Sequence, residues 1–120
     1  MLSPFLTRTY GRSLAAAGPC YSAFVGSQVI ACAGVVEFWA GRAQVWSLLA
    51  DQFPAYRKSV HRAVQTFLAG YRVRRLECVI ATDSPRALNW AQHLGFYVEH
   101  RMAQYNPDGS DQLMLVRLER

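Results

Sequence analysis

The side chains able to do acid–base or phosphate chemistry are few in this sequence and stand well apart. Glu37 closes an apolar run and His61 lies in a stretch of helical periodicity; either is of a type that serves as a general base. Arg57-Lys-Ser59 sets two cations and a hydroxyl side by side just ahead of an apolar periodic stretch, a combination that can hold a phosphate. Each has a plain structural reading too: an exposed strand-end carboxylate, a surface helix residue, a solvated helix terminus. Cys20, Cys32 and Cys78 are scattered through apolar runs, without zinc-ligand spacing and remote in sequence from the three histidines. Buried free thiols and no metal site are the expectation.

Thirteen basic residues against eight acidic ones give a net charge of +5, and Lys58 is the sole lysine among twelve arginines. A guanidinium offers a planar fork that suits phosphate or carboxylate. A GC-rich genome, which inflates Arg and Ala together, explains the same bias. Apart from Arg72-Val-Arg-Arg75 the arginines are dispersed, which disfavours nucleic acid as a partner. At 120 residues and 52% apolar composition the chain is expected to form one domain, residues 1–120. No run approaches the ~20 apolar residues of a membrane span, and Met1-Leu-Ser-Pro-Phe-Leu-Thr-Arg8 lacks the pattern of a secretory signal.

The elements that must position these residues follow from periodicity and turn chemistry. Leu6, Tyr10 and Leu14 predict a helix over residues 2–17, stopped by Gly18-Pro19. Cys20–Val25 and Gln28–Trp39 read as strands joined by a tight Gly26-Ser27 turn. Ala40-Gly-Arg42 is a second turn, and Ala43–Leu49 a third strand completing an antiparallel meander. After the connection Asp51–Pro54, the spacing of Val60, Ala63, Val64, Phe67 and Leu68 predicts a helix over Tyr56–Ala69. A strand over Leu76–Thr82 follows. Asp83 or Ser84 then caps a helix with Pro85 at its first position, the stripe Ala87, Trp90, Ala91 and Leu94, and Gly95 as its stop. Strands Tyr97–Tyr105 and Leu113–Leu118 flank the turn cluster Asn106–Ser110 and should pair as a hairpin. A meander followed by a crossover predicts an α+β fold: a mixed sheet, antiparallel at both ends with a central parallel pair, flanked by about three helices.

The unit Ser84-Pro-Arg-Ala-Leu-Asn-Trp-Ala-Gln-His-Leu-Gly-Phe96, together with this element order, resembles the GNAT (Gcn5-related N-acetyltransferase) superfamily from Cys20 onward. The family's opening strand and first helix have no counterpart, so an N-terminally shortened domain is expected. The resemblance implies acetyl-coenzyme A bound at a splay between Ala43–Leu49 and Leu76–Thr82. Unpaired backbone groups of Val45, Trp46, Ser47, Leu48 and Leu49 would then take the pantetheine arm. It also implies Arg57, Lys58 and Ser59 at the phosphates, Ser84 at the position of the family's Asn, and Glu37 or His61 as general base. Three features depart from the pattern, the first being Ser84 in place of that Asn. The glycine loop that wraps the pyrophosphate is replaced by the glycine-free Asp51–Val60. The family's general-acid tyrosine aligns with Ala91, which has no proton to give.

A narrower likeness rests on Ala31–Leu49 and Arg101–Gly109, which resemble the small GNAT-like proteins of tailed bacteriophages and prophages. It implies a bacterial cytoplasmic or phage-particle setting and protein partners in virion assembly or self-assembly, with a homo-oligomer among the possibilities. Trp39, Arg42 and Trp46 around the Ala40-Gly-Arg42 turn are of the types enriched at binding hot spots. The alternative is that both indoles are core and Arg42 is solvated. Two functions are thus expected to compete: a catalytically degenerate protein acting by contact, and an acetyl-coenzyme A-dependent N-acetyltransferase acting on a small amine or a protein amine.

Overall fold

The computed structural model describes residues 16–49 and 53–119. Six strands form one mixed sheet in the order β1-β2-β3-β4-β6-β5. They are β1 (Cys20–Val25), β2 (Gln28–Trp39), β3 (Arg42–Leu49), β4 (Arg75–Ala81), β5 (Tyr97–Met102) and β6 (Gln112–Leu118). Two α-helices accompany them among the described residues, α1 (Arg57–Gly70) after β3 and α2 (Pro85–His93) after β4. The helix expected over residues 2–17 falls almost wholly outside the described residues. The mixed α+β sheet expected from periodicity is the one observed: β1 pairs β2 antiparallel, β3 pairs β4 parallel, and β6 runs antiparallel to both β4 and β5.

The chain divides into two compact units, one of residues up to Glu37 with Val45–Tyr71, the other of Phe38–Gln44 with Arg72 onward. In the first, Gly26 at φ 61 makes the β1–β2 turn, and Ile30, Ala31 and Val35 of β2 are buried. Helix α1 buries Val60 and Leu68. It begins one residue later than expected because Phe53–Tyr56 forms a 3-10 turn that leads into it.

In the second unit β4 lies between β3 and β6, so Leu76, Glu77 and Ile80 are all buried, as are Leu115 and Val116 of β6. Helix α2 packs against β4. Ser84 stands at its N-cap but makes no capping side-chain hydrogen bond, contrary to the capping role that its residue type suggested. At the other end Gly95, at φ 98, donates to Gln92 O, and Phe96 N–H donates to Ala91 O. This is the Schellman closure that a Gly-Phe pair favours.

The expected strand Tyr97–Tyr105 is shorter than its apolar content indicated, ending at Met102. Asp111 is the reason: it accepts Gln104 N–H at 2.9 Å and Arg101 Nε at 2.6 Å, turning the chain early, with Gln104 in the left-handed region at φ 53.

Candidate functional site

The parallel register of β3 and β4 joins Arg42 to Arg75, Ala43 to Leu76 and Gln44 to Glu77. Both strands continue beyond these pairs, β3 to Leu49 and β4 to Ala81, where Cys78–Ala81 pair with β6. Val45–Leu49, the residues expected to take a pantetheine arm, are half-buried and belong to the first unit. Within that stretch the Trp46 Nε1–H is buried without a hydrogen-bond partner among the described residues. A buried unpaired donor is costly, so an acceptor brought by a ligand would be stabilised there.

Arg57, Lys58 and Ser59 form the exposed first turn of α1, and Tyr56 supplies no side-chain cap to its amides. Cations at this end oppose the helix dipole. The fit to coenzyme A is therefore divided. Trp46 and its neighbours suit an acceptor-bearing arm, whereas the 3-10 turn Phe53–Tyr56, with Pro54 inside it, stands where the family's glycine loop would present amides to a pyrophosphate. The pyrophosphate end does not fit.

The two candidate bases sit differently. Glu37 Oε1 accepts the Tyr71 hydroxyl at 2.7 Å. Tyr71 stacks on Phe67 at 5.5 Å between ring centroids, and Phe67 meets Tyr21 edge-on at 5.4 Å. Burial, then the Glu37 carboxylate, pushes the Tyr71 phenol up to about 12. Glu37 is thus tied to a phenol rather than simply solvated. His61 is half-buried on α1. Ser84 lies at the start of α2, and Ala91, which the sequence resemblance sets against a GNAT tyrosine, is 5% exposed on the face of α2 that is buried. The three cysteines are free and half-buried, and burial pushes the Cys78 thiol up to about 12. No group of three or more potential metal ligands occurs among the described residues.

The most highly organised polar cluster lies in the second unit. Glu77, 1% exposed in the central strand, accepts Arg42 Nε at 2.8 Å and Arg42 Nη2 at 3.0 Å, and Arg75 Nε at 2.6 Å. Arg75 then grips Glu99 through Nη1 and Nη2 at 2.8 and 2.6 Å. Glu99 reaches it because the β5–β6 register shifts between Val98 and His100, leaving Glu99 as the extra residue of a bulge. Arg42, then Arg75, hold the Glu77 carboxyl below the usual carboxylate range, and Glu77 raises Arg42 in return.

The Arg42 guanidinium also lies 4.4 Å from the Phe38 ring centroid and 4.8 Å from that of Trp39. Phe38 is 44% and Trp39 59% exposed. Arg42 is therefore neither solvated nor core; it is a fixed cation beneath two exposed rings. Trp46 is half-buried in the other unit. Glu77, Arg75, Glu99 and Tyr71 formed no part of the sequence-based site. The available signal was the lone carboxylate inside the apolar run Leu76–Ala81 of an arginine-rich chain, since a buried carboxylate requires cations.

No protein-family model matches the sequence, and no curated protein matches it. Solved structures do. Ard1 from Thermoplasma volcanium superposes with a TM-score of 0.83 at 14% identity, covering 99% of this chain and 84% of that one. A Bacillus subtilis acetyltransferase in complex with CoA gives 0.75 at 12% identity, covering 95% and 85%. An IAA acetyltransferase from Bacillus cereus gives 0.72 at 19%, covering 94% and 85%. At such identities the likeness establishes the fold.

Proposed function

From the acetyltransferase fold that this chain possesses, we propose a protein that works by contact and in which acetyl transfer has been reduced or lost. The observation that carries this reading is Ala91, buried on α2 at the position where the family's tyrosine would reprotonate the leaving thiolate. The glycine-free 3-10 turn ahead of α1 supports it, since both departures bear on one reaction. The setting we propose is assembly of a tailed-phage particle or self-assembly, on the sequence likeness of Ala31–Leu49 and Arg101–Gly109 to phage-encoded proteins of this fold.

A second reading, an N-acetyltransferase for a small amine or a protein amine, draws support from the orphaned Trp46 Nε1–H in the pantetheine stretch and the exposed Arg57, Lys58 and Ser59. Neighbours of the same fold include the F149A mutant of a spermidine N-acetyltransferase from Vibrio cholerae. In that reading acetyl-coenzyme A would supply an activated acetyl thioester, and this chain's own residues would hold and orient it.

Calorimetry with acetyl-coenzyme A, an acetylation assay on polyamines and peptides, and light scattering on the same preparation separate the two. The contact reading expects weak or absent binding, no turnover, and association with itself or an assembly partner. Turnover by a monomeric protein would overturn it.

A further inference from the structure

Phe38, Trp39, Arg42 and Arg74 lie together around the β2–β3 turn of the second unit. The Arg42 guanidinium is clamped from one side by a buried carboxylate and covered on the other by two exposed rings. Gly41 at the tip has φ 98, and the Arg74 Nη2 lies 2.9 Å from where a Cβ on Gly41 would be. Arg74 is thereby laid along the turn and is exposed.

The charges in this cluster do not cancel. Four arginines, Arg42, Arg72, Arg74 and Arg75, face three glutamates, Glu77, Glu99 and Glu119. Glu77 is taken by Arg42 and Arg75, Glu99 by Arg75, and Glu119, whose N–H donates to Arg74 O, by Arg72. Arg74 is left with no ion pair among the described residues.

We propose that this face docks an acidic, apolar peptide segment of a partner protein, one carboxylate on Arg74 and an apolar side chain on Trp39 and Phe38. The proposal rests on the contact reading above and names its partner's chemistry. Charge selects this occupant. One unneutralised cation matches a carboxylate, whereas a nucleic-acid strand presents a charge at every phosphate and would meet Glu99 and Glu119 beside it. Phe38 and Trp39 already pack on the clamped Arg42 guanidinium, so little freedom of the rings is lost on binding. Tryptophan and arginine are also the types that dominate measured interface energies.

The test is a titration of the full chain followed at the Trp39 indole N–H by nitrogen-15 NMR, with Trp39→Phe assigning the resonance. The probe is a blocked hexapeptide alternating leucine and glutamate; the controls are the same peptide with glutamine and a hexathymidylate. A saturable shift with the glutamate peptide, weakened at least fivefold in Arg74→Gln with an unchanged melting curve, is expected. No shift, an equal shift with the glutamine peptide, insensitivity to Arg74→Gln, or tighter binding of the hexathymidylate would each overturn the proposal. Acetyl-coenzyme A turnover measured on the same sample judges the contact reading independently. Turnover alongside the glutamate-specific shift would sink that reading and leave the docking face standing.

Discussion

Arg42 and Glu77, 35 residues apart, meet edge to edge: Nε and Nη2 of the guanidinium donate to the two carboxylate oxygens at 2.8 and 3.0 Å. The pair joins the interior of the second unit to its surface, because Glu77 is buried and the far side of Arg42 lies under Phe38 and Trp39. A buried ion pair is not in itself a source of stability, but removing one partner is costly. This pair fixes where the exposed rings stand.

Glu77→Gln should lower unfolding stability by about 2–3 kcal/mol, since it removes the charge shared by two arginines and replaces one acceptor oxygen by an NH2 donor facing a guanidinium. Glu77 is depressed below its ordinary 4.5, so its contribution is present above that value and is lost as pH falls through the lowered folded value. Urea melts of wild type and variant at neutral pH and in acid check both points. The gap between them should close in acid, and a gap independent of pH would contradict the assignment.

Tyr71 should ionise near 12 rather than at its ordinary 10.0. A folded value above the unfolded one means that its stabilisation is complete below the ordinary value and disappears as pH rises through the folded one. Tyrosinate absorbance near 295 nm followed against pH should lose its latest step in Tyr71→Phe. Glu37→Gln should move that step to lower pH, because the carboxylate is the second contributor after burial.

Affinity for acetyl-coenzyme A should be poor, for want of amides to wrap the pyrophosphate. Whatever binding calorimetry detects should weaken by about 1–3 kcal/mol on removing either Arg57 or Lys58, the cations of the first turn of α1. Micromolar binding that survives the double alanine substitution would show that the phosphates lie elsewhere.

Much of the fold is legible in the chain because its signals are local. Gly26-Ser27 between alternating strands, Pro85 one residue after Ser84, and Gly95-Phe96 after a helical stripe each state a backbone geometry within a few residues. The order of elements then predicts a mixed sheet with a central parallel pair; that β6 lies between β4 and β5 is decided by the folded structure. At β5 the local pattern misled because a side chain from beyond the strand intervened: Asp111 captures Gln104 and Arg101.

The charged cluster was settled only in three dimensions. The parallel register of β3 and β4 sets Arg42 beside Arg75, and a one-residue bulge turns Glu99 toward the same arginine. Tyr71 and Glu37 are likewise 34 residues apart and meet only in the folded unit. Residue type and spacing set backbone preferences, periodic faces and the absence of a hydroxyl at Ala91, because each is a property of a short segment. Which arginine holds a buried carboxylate depends on strand register, and register is decided by burying many apolar side chains at once.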